Sequence, residues 1–116
     1  MNREEIKART KQFALRVIRL VEVLPKSYSA EAIGRQLLRA ATSVGANYRA
    51  ACRARSKAEF IAKLGIVEEE SDECSYWLEL LVEAGLMKQE RVADLMKEAD
   101  EITAIVVSSI QTARGK

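Results

Sequence analysis

Apolar residues return along this chain at steps of three and four, in four separate stretches. The first stretch carries Ile6, Thr10, Phe13, Val17, Leu20 and Leu24, widened by Ala14 and Val21. The second carries Ile33, Leu37, Ala40, Val44, Asn47 and Ala51, and the third Phe60, Leu64, Val67, Ser71, Cys74, Leu78 and Leu81. The fourth carries Val92, Leu95, Ala99, Ile102, Val106 and Ile110. This spacing keeps one narrow side of a helix apolar and predicts four amphipathic helices, at about residues 3–24, 30–54, 57–84 and 88–113. No alternating strand pattern competes.

The punctuation agrees with the periodicity. Asn2 with Glu5 and Ser56 with Glu59 read as capping boxes that open the first and third helices. Pro25 ends the first, because the residue before a proline is driven out of the helical region. Ser29 is a suitable N-cap for the second helix, with Glu31 in its first turn. Gly85 follows the third helix as a left-handed cap, with Leu86 as the hydrophobic contact beyond it. Short links favour antiparallel neighbours, so the expected fold is all-α: an up-and-down four-helix bundle forming one domain over residues 1–116. Ile105 and Val107 lie off the fourth stripe and widen it, as contacts between subunits would require.

Composition changes little in this picture: hydrophobic residues make up 48% of the chain, aromatics 5%, and there is one proline. No apolar run is long enough to cross a bilayer, and the first residues lack the apolar region of a secretory signal. A soluble, cytoplasmic protein without membrane contact is therefore expected. Cys52 and Cys74 fall roughly 20 Å apart along the second and third helices at 1.5 Å per residue, beyond disulfide reach, and read as buried thiols.

Charge is more informative than its net value of +2. Residues 1–28 carry seven basic and three acidic side chains, and residues 29–57 six basic and one acidic. Residues 58–86 reverse this with one basic and eight acidic, while residues 87–116 carry five of each. Such segregation suits an anionic ligand or pairing between copies of the chain.

Within the second helix, Arg35, Arg39, Arg49 and Arg53 share a face with Thr42 and Ala46, about 200° round from the apolar stripe. Four arginines on one outward line could follow a phosphate backbone of RNA or DNA, helped by Lys7, Lys11, Arg16 and Arg19 from the first helix. The same line could be a solvated face with local pairs such as Glu31–Arg35, or could meet acids of a neighbouring subunit. Stacking aromatics do not accompany it, so a sequence-reading or single-strand platform is not indicated.

Glu68, Glu69, Glu70, Asp72 and Glu73 form an acidic run on the third helix, with Glu70 and Glu73 beside the core and Asp72 level with Arg39. Bundles host carboxylate-bridged metals, but that chemistry uses Glu-x-x-His elements and the chain has no histidine. Arginine-held acids are expected instead, with no metal and no cofactor. Nucleophilic catalysis has no support for the same want of a histidine base, so a non-enzyme is expected. Asn47, on the apolar stripe, is read as a polar residue that fixes register or subunit number. Trp77 and Tyr76 are read as packing anchors.

The segments Ser43–Ala51, Arg55–Phe60 and Leu64–Glu73 together resemble the four-helix bundle proteins known as 23S rRNA intervening-sequence proteins. Ser43, Val44 and Asn47 match that family's Ser-Ile-x-x-Asn-Ile-Ala-Glu-Gly pattern. Ala50 and Ala51 stand where Glu-Gly is usual, and Arg49 where alanine is. The resemblance implies a non-enzymatic bundle assembling as a homopentameric ring, related to accessory proteins of diversity-generating retroelements that bind nucleic acid and a reverse transcriptase. A nucleic-acid-binding accessory factor is thus expected. The alternative is a protein-interaction scaffold whose charges serve assembly.

Overall fold

The computed structural model describes residues 1–115. Four helices, α1 (Arg3–Glu22), α2 (Tyr28–Cys52), α3 (Lys57–Glu83) and α4 (Gln89–Ala113), make up the described chain, with no strand among the described residues. Each packs against the next, and α1 closes the square on α4 more lightly than the other seams close. Contacts fall in descending register along two seams, Leu24 by Gly34 but Thr10 by Gly45, and Ser71 by Thr103 but Ser75 by Asp100, and the short link 53–56 turns the chain back between α2 and α3. The helices therefore alternate in direction.

Helix ends follow local chemistry. The Asn2 side chain accepts from the Glu5 amide at 2.8 Å while Glu5 accepts from the Asn2 amide at 3.0 Å, a complete capping box. Ser56 accepts from the Glu59 amide at 3.1 Å in the same position of α3. Three ends differ from expectation by two residues; one is the end of α2, which stops at Cys52 rather than at residue 54, with the Arg53 amide closing on the Ala50 carbonyl. Helix α1 stops at Glu22 rather than Leu24, since Pro25 already constrains the turn before it. Helix α2 begins at Tyr28 and is capped by Ser27, which accepts from the Ala30 amide at 3.2 Å. Ser29 is an ordinary first-turn residue, and the earlier start lets Ala30 bury completely.

After α3 the Leu86 amide bonds to the Leu81 carbonyl and the Gly85 amide to that of Val82, with Gly85 at φ +74°. This double closure satisfies carbonyls that the helix end leaves unpaired, and Leu86 packs back on the core.

Phe13, Val17, Leu37, Val44, Leu64, Val67, Leu78, Leu81, Val92 and Val106 form the centre of the core, all essentially inaccessible. The stripe of α2 is turned slightly from expectation. Tyr48 is buried and Asn47 is only half-buried, so Asn47 does not serve as a core register residue. Its amide instead donates to the Ser43 carbonyl at 2.9 Å and to the Ser43 hydroxyl at 2.8 Å, within its own helix. The turn follows from the two small residues on the other flank, Gly34 and Ala41, which let α1 approach.

A Cβ on Gly34 would stand 3.0 Å from Leu24 Cδ1 and 3.5 Å from Val21 Cγ1, so the Leu24 side chain would have to give by a few tenths of an ångström. Glycine costs a helix about 1 kcal/mol, and close approach of α1 is what that cost permits here.

Ser71 and Thr103 are the more buried polar pair of the α3/α4 seam, and Ser75 donates to Asp100 at 3.1 Å nearer its surface. The Ser71 and Thr103 hydroxyls lie 2.7 Å apart, and each also lies within reach of a carbonyl of its own helix, Glu68 and Ala99. Two hydroxyl protons cannot fill three such bonds at once, so one hydroxyl gives up its carbonyl to bridge the seam.

Two glycines make opposite predictions. Gly65 lies mid-helix with nothing within 4 Å of an added Cβ, whereas Gly85 needs its positive φ. Gly65→Ala is expected to stabilise the fold by about 0.5–1 kcal/mol and Gly85→Ala to destabilise it by about 1 kcal/mol. Urea unfolding of the two variants checks the signs.

Candidate nucleic-acid interface

The arginine line of α2 divides once the helix is packed. At about 100° per residue, Arg39 leans about 40° from Arg35 toward α3, and Arg49 leans about 40° the other way, toward α1. The contacts follow those tilts. Arg39 reaches across to α3, donating to Glu70 at 2.9 Å and Glu73 at 2.7 Å. Glu73 also accepts from the Trp77 indole at 3.0 Å. All four arginines lie on the exposed surface as expected, but the charge of Arg39 is taken by acids of its own subunit. Its partners are Glu70 and Glu73 rather than Asp72, which stays exposed.

Arg35, Arg49 and Arg53 are exposed and make no ion pair among the described residues. Arg49 borders a cleft of about 250 Å³ between α1 and α2, together with Lys7, Lys11, Thr10 and Thr42. Its floor is Ala14, Gly45 and Ala46, small enough for the backbones to lie near the surface. No acid lines it, although Lys7 also bonds to Glu4 at 3.0 Å on the rim. Positive charges around a shallow, small-residue floor can accept a phosphate with little desolvation of neighbouring groups.

Arg16 and Arg19 do not join this cleft. They lie on the other flank of α1, lining a groove against α4 with Arg91 and Asp94. Helix α1 carries cations on both flanks, and their sequence positions give no sign of the division until its neighbours are in place.

Arg9, which the periodicity did not single out, holds the lightest seam. It donates to Glu98 at 2.6 and 2.8 Å and to Glu101 at 2.5 Å, joining α1 to α4. Its place next to Thr10, with acids three residues apart on a later helix, is the one signal that could have found it. At the far end Arg3 stacks over the Phe60 ring at 4.9 Å.

The acids are held by these pairs. Hydrogen bonds from Arg9 pull the Glu98 carboxyl below the ordinary 4.5, outweighing its burial. Burial works to raise Glu73, but hydrogen bonds from Arg39 and Trp77 overcome it and the net shift is downward. With Glu70 and Glu73 so engaged, and no cluster of three His, Cys, Asp or Glu side chains among the described residues, a bridged metal has no donor set here.

Burial, reinforced by the charges of Glu70 and Glu73, pushes the Cys74 thiol up to about 12 and keeps it neutral. Cys52 is only half-buried, at the end of α2, and the two thiols are not bonded. Trp77 packs on the core as an anchor should, but Tyr76 does not: it is 53% exposed and meets Trp77 edge-on at 5.0 Å. No helix among the described residues is long and apolar enough to cross a membrane.

A family model described as 23S rRNA-intervening sequence protein matches residues 3–108. A crystal structure of a protein with unknown function from the S23 ribosomal protein family, from Bacteroides thetaiotaomicron, has the same fold with a TM-score of 0.89. It is 34% identical, over 96% of this chain and 99% of that one. No curated protein matches.

The lowered carboxyls set a pH dependence. A group whose folded value is depressed contributes stability above its unfolded value and loses it as pH falls through the folded one. Stability should therefore decline on acidification below about pH 5, the more steeply as Glu98 and Glu73 protonate. Arg9→Gln should remove the Glu98 share of that acid limb and cost about 1–2 kcal/mol at neutral pH by stranding a largely covered carboxylate. Arg39→Gln should remove the Glu73 share alone. Denaturant midpoints at pH 7 and pH 3 check both.

Proposed function

The chain belongs to the 23S rRNA-intervening sequence protein family, and on that premise we propose that it is a non-enzymatic nucleic-acid-binding bundle. Its binding face is the basic side formed by α1 and α2. The observation that carries the reading is the acid-free α1/α2 cleft of Lys7, Lys11 and Arg49, continued along α2 by the unpaired Arg35 and Arg53. From Arg35 to Arg53 the helix rises roughly 27 Å at 1.5 Å per residue, a length over which several phosphates can be met. The contacts are to phosphate rather than to base edges, since the face offers charge and small residues. Binding of this kind is sequence-tolerant and salt-dependent.

A second reading draws on the opposite side of the square. Glu69, Asp72 and Glu79 are exposed on α3 beside the exposed Ile66 and Tyr76. That side could accept the basic face of another copy, and a surface that meets its complement head to tail generates rings when the rotation closes. The half-buried Ile105 and Val107 would add apolar area to such an assembly. A homopentamer is the form proposed under this reading.

Charge reversal separates the two. Arg35→Glu, Arg49→Glu and Arg53→Glu together are expected to lower affinity for a nucleic acid by at least tenfold at 0.15 M salt, with the subunit number unchanged. Affinity of the unaltered protein should fall linearly in log–log with salt, at about 0.9 per phosphate contact on a B-form duplex. Fluorescence anisotropy gives the affinities and light scattering the mass. If the variant loses its oligomer and the unaltered protein binds no nucleic acid, the assembly reading replaces this one.

A further inference from the structure

The two clefts of α1 lie on opposite flanks of one helix. Nine residues separate Lys7 from Arg16, which at about 100° per residue sets them about 180° apart, and eight separate Lys11 from Arg19, which sets those about 80° apart. Lys7 and Lys11 line the α2 side with Arg49, and Arg16 and Arg19 line the α4 side with Arg91 and one acid, Asp94. Each flank thus draws three cations from two helices. Between Ile6 and Val21 helix α1 has no acid at all; Glu4, Glu5 and Glu22 are confined to its ends. The one further cation in that span, Arg9, is neutralised by Glu98 and Glu101. The crest between the flanks carries Ala8, Gln12 and Leu15 with Arg19 beside them, Glu4 and Glu22 on the same line at the helix ends, and no aromatic ring.

We infer that the nucleic acid bound by this protein is a B-form duplex, with α1 lying in its major groove and the two flanking rows of cations meeting the phosphates of the two strands. The inference rests on the nucleic-acid reading above and narrows it. Packed helices stand about 8–10 Å apart, so the clefts on either side of α1 are separated by about one such spacing. A B-form major groove is about 12 Å wide and admits a helix. A single strand offers one phosphate line and would leave one flank idle, and it is held largely by stacking, for which the crest has no ring. An A-form duplex hides its major groove in a deep, narrow cleft that a helix cannot enter.

Competition binding of the full chain tests this, using a 20-base-pair DNA duplex, the same sequence as duplex RNA, and each DNA strand alone. The DNA duplex is expected to bind at least tenfold tighter than the other two. Neutralising one flank with Lys7→Gln and Lys11→Gln, or the other with Arg16→Gln and Arg19→Gln, should each lower the salt slope for duplex DNA by about 2. The Arg16/Arg19 pair of changes should leave single-strand binding unaltered, and thermal melting confirms that both variants fold. Duplex RNA or single strands binding as tightly as duplex DNA overturn the inference. So does an unchanged duplex slope in the Arg16/Arg19 variant, while loss on reversal of Arg35, Arg49 and Arg53 would leave the broader reading standing. No binding of any of the probes overturns both.

Discussion

Burial of four apolar stripes against one another is the constraint from which the rest of this structure follows. Each stripe is about two residues wide per turn, so closing the square leaves each helix one rotational setting. That setting decides which charge can reach a partner. Arg39 and Arg49 differ by about 80° around α2, a small angle on an isolated helix. In the closed square it sends one across to Glu70 and Glu73 and leaves the other over the α1 cleft. The same chemistry serves cohesion on one side and exposure on the other.

The specific contacts between helices beyond the apolar stripes are few and differ in kind from seam to seam. Helices α1 and α2 meet where the Val21 and Leu24 side chains pack over Gly34, α2 and α3 through Arg39, α3 and α4 through Ser71 with Thr103 and Ser75 with Asp100, and α4 and α1 through Arg9. Exposed ion pairs contribute little individually. The Arg9 pair is the more covered of the two, and it stands where the apolar contact is lightest. The stripes supply cohesion, and these contacts choose among neighbouring registers of the same apolar surfaces.

Much of this was legible along the chain. The stripes of α1, α3 and α4 bury the side chains that their spacing picks out, and the caps at Asn2, Ser56 and Gly85 form as their residue types dictate. These are local facts, written within one or two turns. Asn47 was misplaced because a regular step of three and four cannot register that Gly34 and Ala41 turn α2 toward α1, exchanging Asn47 for Tyr48. That arginine holds Glu70 and Glu73 was expected, but which arginine does so, the separation of Arg16 and Arg19 from the α2 face, and the clamp at Arg9 were illegible for a related reason. Each depends on which helix lies beside which, and that is settled by packing between residues far apart in sequence. Family membership rests on the match over residues 3–108, whereas the assignment of a ligand rests on charge and shape alone.

Trp77 is the chain's single tryptophan, and its indole hydrogen bonds the same carboxylate that grips Arg39. The molecule thereby carries an intrinsic optical probe seated at one seam. Its emission reports the electrostatic surroundings of α2 against α3, and the Arg9 clamp on the other side of the square has no such chromophore beside it. Loosening of the two halves of the bundle can accordingly be told apart by light without any label.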